Sequence, residues 1–242
     1  MLKDKTYWIV GASEGLGRAL AHELDQRGVN LVLSARSENR LQDLASELTQ
    51  PARVFPLDVS DNASVDNAIR TIGEIDGIIF AAALYEPMKA QDWDPVSSEL
   101  IADVNFLGGI RVLARLVPKF VSKNSGHVAI IGSLSGYRGL PGALAYGASK
   151  AGLMHLAETL QADLWKTGVK IQLFNMGFIS TRLTDKNAFK MPFIMTPERA
   201  ARLIANGMEK RRFKFDIPVL FSLIFRLSRA LPQGLYNRMF TK

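Results

Sequence analysis

No cysteine occurs among the 242 residues. Disulfides, thiolate metal sites and cysteine nucleophiles are therefore excluded, and no metal site is expected. Long hydrophobic runs are also lacking. A membrane-spanning helix needs roughly 18 apolar residues or more in succession. The longest apolar stretch here, Ile217 to Phe225, stops at Arg226. No apolar leader with a small-residue cleavage site precedes the strand-like Tyr7-Trp8-Ile9-Val10, so a cytoplasmic protein is expected. Acids are scarce at one end. Residues 209–242 hold eight Lys/Arg against Glu209 and Asp216, so this tail carries +6 of the net charge of +7. The body is nearly neutral, which argues against a nucleic-acid partner.

What remains is the composition of an ordinary globular protein, 48% hydrophobic and 22% charged, of a length that suits one α/β domain. Strand-like and helix-like segments alternate. Tyr7–Val10 is followed by Leu16, Leu20 and Leu24 at helical spacing. Leu31–Ala35 is followed by Leu41, Leu44 and Leu48, and Val54–Leu57 by Val65, Ile69 and Ile72. Gly77–Ala81, Val128–Ile131 and Ile171–Phe174 are short apolar runs, suited to parallel strands buried on both faces. Helices are expected over about Val104–Val117 and Ala143–Trp165, and a further one opens at Thr196-Pro197-Glu198. Phe213, Phe215 and Ile217 alternate with Lys214 and Asp216, as in a half-exposed seventh strand. The expected fold is α/β: a Rossmann-type, doubly wound, parallel seven-stranded sheet. Residues 1–217 form its single domain and 218–242 a C-terminal helical extension. Ser180 to Met195 breaks the pattern and reads as a loop with short helices over the active site.

The first strand runs into Gly11-Ala12-Ser13-Glu14-Gly15-Leu16-Gly17. Gly11 permits a tight turn, Gly15 lets backbone approach a pyrophosphate, and Gly17 allows close helix–sheet packing. The following helix N-terminus offers N–H groups to the anion. The competing reading is a glycine turn with no ligand. At the end of the second strand, Leu33-Ser34-Ala35-Arg36-Ser37 has no acid to hold a ribose 2′-hydroxyl. Arg36 instead suits a 2′-phosphate, so NADP is expected rather than NAD. Otherwise Arg36 is a solvated surface residue. Glu14 is a counter-signal to NADP.

Tyr146 and Lys150 lie four apart near the start of a long helix, on one face. An ammonium about 4 Å from the phenol, at an effective dielectric near 20, favours the phenolate by about 4 kcal/mol. That is roughly three pKa units, enough to bring the phenol toward neutrality for acid–base work. A lone pair of this kind is more often a surface contact. Ser133 changes the weighing, because it follows an apolar strand at the ligand-binding edge of the sheet, thirteen positions before Tyr146. Ser135 is a rival.

The glycine spacing, with Val10 in place of a leading Thr, and the Ser133…Tyr146…Lys150 series resemble the short-chain dehydrogenase/reductase family over about residues 5–217. The resemblance implies that Ser133 orients the substrate oxygen and Tyr146 is the acid/base. Lys150 would lower the phenol pKa and bind the nicotinamide ribose, and Asn105 would complete a proton relay through water. It implies that Asp58 and Val59 meet the adenine, though Asp58-Val59-Ser60-Asp61 also reads as a helix cap. Ala82, Gly177, Ile179 and Thr181 fall at further cofactor positions. Two departures stand out: Phe80-Ala81-Ala82-Ala83 replaces N-N-A-G, and Met176-Gly177 replaces Pro-Gly.

The expected partner is a small carbonyl or alcohol substrate. Phe178, Phe189, Met191, Phe193 and Met195 suggest that it is apolar, although they could equally pack on one another. The family implies a homodimer or homotetramer. A different class of function also fits: a cofactor-binding regulator or scaffold attached to a membrane or partner by its basic tail. Residues 218–242 are too apolar to leave in water. They could cover the pocket of their own subunit, pair with a neighbour, or lie in a membrane surface, in that order of expectation.

Overall fold

The computed structural model describes residues 2–187 and 189–240, apart from the Phe240 side chain. Lys242, counted in the basic tail, and the side chain of Phe240 lie outside the described residues. The chain alternates β1 (Thr6–Val10), α1 (Gly15–Asp25), β2 (Asn30–Ser34), α2 (Glu38–Glu47), β3 (Arg53–Val54), α3 (Asn62–Thr71) and β4 (Gly77–Phe80). It continues through α4 (Pro95–Ala102), α5 (Gly108–Ser122), β5 (Gly126–Ser133), α6 (Leu144–Asp163), β6 (Val169–Met176), α7 (Pro197–Met208) and β7 (Lys214–Ile217). Two helices close it, α8 (Val219–Ser228) and α9 (Gln233–Phe240).

The seven strands form one sheet in the order β3-β2-β1-β4-β5-β6-β7, and every pairing is parallel. This is the expected Rossmann-type α/β fold. The order reverses between β1 and β4, which opens a crevice at the carboxyl ends of the strands. Alternate side chains feed two cores. Ile9 packs with Leu20 and Leu24 of α1, Leu44 of α2 and Ile204 of α7. Trp8 and Val10 pack on the other face with Val65 of α3, Val112 and Leu116 of α5, and Leu153 of α6.

Three elements differ from the sequence expectation. β3 spans only Arg53–Val54. Phe55 and Leu57 still donate to Leu33 and Ala35 carbonyls, but Pro56 between them has no N–H to extend the ladder. The helix expected from Val104 begins at Pro95, capped by Asp94, whose carboxylate accepts from the Ser97 N–H at 2.8 Å. It widens to π turns over Asp103–Leu107 before continuing as α5. In β7 the expected alternation fails at Asp216. Its side chain is buried, and accepts from the Tyr137 hydroxyl at 2.7 Å and Asn175 Nδ2 at 2.9 Å.

Candidate active site

A cleft of about 1130 Å³ opens along the carboxyl ends of the strands. One end is the loop between β1 and α1. Gly11 and Gly15 have φ of +95° and +55°, a region that L side chains rarely adopt. A Cβ on Gly17 would stand 1.9 Å from the Gly11 carbonyl oxygen, and one on Gly11 would stand 2.6 Å from the Ala82 nitrogen. The loop therefore folds back on itself and against the backbone after β4. Gly11 and Ala12 N–H groups donate to the Ser34 carbonyl at 2.7 and 3.0 Å, and Ala81 N–H donates to Val10 at 2.9 Å. Backbone bonds thus tie the three strand ends where the Phe80-Ala81-Ala82-Ala83 departure lies.

No side chain caps the start of α1, and its first turn has no acid. Its N–H groups are left for an anion. Gly11, Ser13, Glu14, Gly15, Leu16 and Gly17 line the cleft. Ala12 does not, since its methyl is buried in the core. Farther along lie Arg36, Asp58, Val59 and Ala82. Arg36 is exposed and, among the described residues, makes no ion pair. Asp58 is raised by burial but held below the usual carboxylate range overall by Ser60 N–H and O–H donors, with help from the Arg36 and Arg111 charges. The helix cap of α3 is Asp61, so Asp58 is not needed for it.

The other end of the cleft brings together Ser133, Tyr146 and Lys150. Ser133 ends β5 and exchanges a 2.8 Å hydrogen bond with the rival Ser135. Tyr146 and Lys150 lie in the first turns of α6. Lys150 is 2% exposed and donates to the Ile131 carbonyl at 2.9 Å, and its Nζ lies 5.9 Å from the Tyr146 ring centre. Burial lowers its pKa to about 8. Burial also pushes the Tyr146 phenol up to about 12, against a downward pull from Ser133 and with a further push from Tyr85. This corrects the expectation of a phenol near neutrality. With Nζ turned to a carbonyl, desolvation of the phenolate outweighs the ammonium.

Asn105, in the π turns, is wholly buried and does not line the cleft. Its side chain accepts from Leu84 N–H at 2.6 Å, and donates to the Leu84 carbonyl at 2.9 Å and to Ser149 at 3.1 Å. What the geometry supports directly is a clamp on the strand-to-helix connection after β4. That connection carries Tyr85, whose ring meets Tyr146 edge-on at 4.9 Å.

Gly177, Ile179 and Thr181 line the cleft beyond β6. Met176, at the family's proline position, is buried in the core. The segment that follows returns on itself, since Ser180 N–H donates to Met195 O and Met195 N–H to Phe178 O. It reaches across the cleft through Tyr85 to Asn187 at 2.6 Å, Lys186 to Glu86 at 2.5 Å, and Arg182 to Glu14 at 2.5 Å. Phe178, Phe189, Phe221 and Phe225 supply apolar wall. Sequence reasoning missed Tyr85, Asn187 and Arg182 as site residues, and no spacing signals them. Arg40 was also missed. It lies four residues after Arg36, in the first turn of α2, which Arg36 precedes.

Comparison with known proteins agrees with this architecture. A family model described as short chain dehydrogenase matches residues 5–191. An uncharacterized oxidoreductase of Myxococcus xanthus is 33% identical over 243 residues, spanning 96% of this chain and 95% of its own. One of Staphylococcus epidermidis is 31% identical over 192 residues, spanning 78% and 84%. Among solved structures, a Sphingobium yanoikuyae short-chain dehydrogenase in complex with NADPH superposes with a TM-score of 0.82 at 24% identity, covering 95% and 97% of the two chains. A serine dehydrogenase complexed with NADP+ superposes with a TM-score of 0.80 at 23% identity, covering 89% and 95%.

Proposed function

The chain belongs to the short-chain dehydrogenase/reductase family, and on that premise we propose that it interconverts a carbonyl and an alcohol on an apolar substrate with NADP(H). The observation that carries this is a single cleft with Arg36 at one end and Ser133, Tyr146 and Lys150 at the other. The glycine loop fits a dinucleotide, because side chains at Gly11 and Gly17 would fill the cradle and the α1 N–H groups are uncapped. Arg36 would receive the 2′-phosphate, and the reduced cofactor, when bound, supplies hydride.

Each residue then has a role in reduction. Ser133 hydrogen-bonds the substrate oxygen and fixes its position beside Tyr146. With its pKa up at about 12, the phenol is protonated at neutral pH and serves as the acid, giving its proton to the oxygen as the carbon is reduced. The phenolate left behind is stabilised by Lys150, which at a pKa of about 8 is still cationic there. Tyr146 is then reprotonated from solvent in the cleft, and Asn105, which holds Leu84 outside the cleft, serves the site by positioning. In oxidation the same atoms move in reverse. Phe178, Phe189, Phe221 and Phe225 favour an apolar substrate.

The test is a panel of ketones and aldehydes, with NADPH oxidation followed for wild type and Tyr146→Phe. Turnover should fall by about a hundredfold or more in the variant, with cofactor affinity kept. Cofactor binding without turnover of any carbonyl or alcohol would favour the regulator or scaffold instead.

A further inference from the structure

Helix α8 is apolar on both sides. One side, Phe221 and Phe225, packs against Leu134 and lines the cleft. The other, Val219, Leu220, Leu223, Ile224 and Leu227, faces outward, with Val219, Leu220 and Leu227 each at least 67% exposed. Leu235 and Met239 are exposed one turn apart on α9. Phe193, also exposed, lies 5.4 Å from Phe221. This is no loose tail. Arg138 donates to the Ser228 carbonyl, to Leu231 O at 3.1 Å and to Gln233 Oε1 at 2.9 Å, and its guanidinium covers the Tyr236 ring at 4.0 Å. The corner between α8 and α9 is thereby pinned to the body.

The charge carried by the segments of this patch has one sign. Residues 217–242 contain Arg226, Arg229, Arg238 and Lys242 and no Asp or Glu. Residues 187–197 contain Lys190 and no acid. Asp216 lies 3.9 Å from Arg226 and Glu158 shares a small pocket with Arg229, but the segment's own charges are all cationic, and an exposed apolar face on such a segment matches an interface that is apolar beneath and anionic at its surface. A second copy fits poorly. A two-fold pairing sets the same patch against itself, so two segments with cations and no acid of their own would be brought together. Nor could α8 cross a bilayer, since ten residues make a helix of about 15 Å.

We propose that the outer face of α8, with α9 and Phe193, docks flat on an anionic lipid bilayer. The helix then stands as the wall between the acyl chains and the cleft, with Phe221 and Phe225 on its inner side. Docking itself does not depend on the oxidoreductase reading, and its measurement needs no turnover.

The experiment is flotation of the purified full chain with vesicles of phosphatidylcholine alone, and of phosphatidylcholine and phosphatidylglycerol in equal parts. Wild type should float with the anionic vesicles, and added salt should release it. Leu220→Asn/Leu223→Asn/Leu227→Asn removes exposed side chains only. It should lower partitioning about tenfold or more while thermal melting and cofactor binding are kept. Arg229→Gln/Arg238→Gln should lower it about fivefold for each arginine. Failure to float, or equal flotation on both lipids, would overturn the proposal. So would a triple variant that floats like wild type, or one that merely turns a dimer into a monomer.

Discussion

Replacing Asn105 with alanine tests whether this side chain is a clamp. The substitution removes the acceptor for Leu84 N–H and the donor to the Leu84 carbonyl, at 2.6 and 2.9 Å, and a third bond to Ser149. Asn105 is wholly buried and its bonds to Leu84 are partly buried, so both Leu84 groups lose partners where water only partly replaces them. Each orphaned group costs about 1–3 kcal/mol, which gives about 2–6 kcal/mol for the pair. In a domain of this size each kcal/mol lowers Tm by about 2–4 °C. A fall of about 5 °C or more is therefore expected in a thermal melt. Ser149→Ala breaks only the 3.1 Å bond and should cost well under half as much. Because the released connection carries Tyr85 against Tyr146, turnover should fall more than cofactor affinity. An Asn105→Ala protein that melts within about 1 °C of wild type, or no lower than Ser149→Ala, would refute the clamp.

Arg36→Ala should weaken NADPH binding by about 10–100-fold, the worth of a charged hydrogen bond, and leave NADH binding unchanged in fluorescence titration. Gly17→Ala should cost about 1–3 kcal/mol in denaturant unfolding and abolish cofactor binding, because its Cβ would meet the Gly11 carbonyl at 1.9 Å. Lys150 gives a pH signature. Its folded pKa is lowered from 10.5 to about 8, so between those values the unfolded chain binds more protons. Wild-type stability attributable to this lysine therefore rises with pH across that window. Unfolding at pH 7 and near pH 10.5 should show wild type gaining about 3 kcal/mol on Lys150→Met, and no gain would mean the ammonium is not desolvated.

Much of the fold was legible because each signal sits within one segment. Ile78, Ile79 and Phe80 are buried on both faces of the sheet, so an uninterrupted apolar run identified β4. Tyr146 and Lys150 share one helix, and Ser133 ends the strand next to it in sequence, so spacing sufficed. Legibility failed where a residue's role is set by a partner far along the chain. Asp216 looked like the solvent side of an edge strand, yet Tyr137 and Asn175 bury it. Asn105 was read through water, yet it holds Leu84, 21 residues away. Tyr85 gave no pattern at all, because its importance lies in touching Tyr146 and Asn187. The lysine effect on the phenol was misjudged for a related reason. Spacing brought the pair together, but the Ile131 carbonyl took the ammonium.

Glu14 bears on the proposed NADP preference through its partners elsewhere in the chain. Taken alone, a carboxylate in the phosphate loop opposes a second phosphate. In the folded chain it pairs with Arg40 at 3.0 Å and Arg182 at 2.5 Å. With Arg36 and Asp58 in the same cleft, three cations face two acids, and the balance at this end of the site stays positive. Both pairs are exposed at the surface, where an ion pair is worth only about 0–1 kcal/mol. An arriving phosphate could therefore draw Arg40 away from Glu14 at small cost, four residues along the chain from Arg36. Glu14 thus pairs with two arginines that line the cleft, and its carboxylate does not argue against the NADP preference we propose.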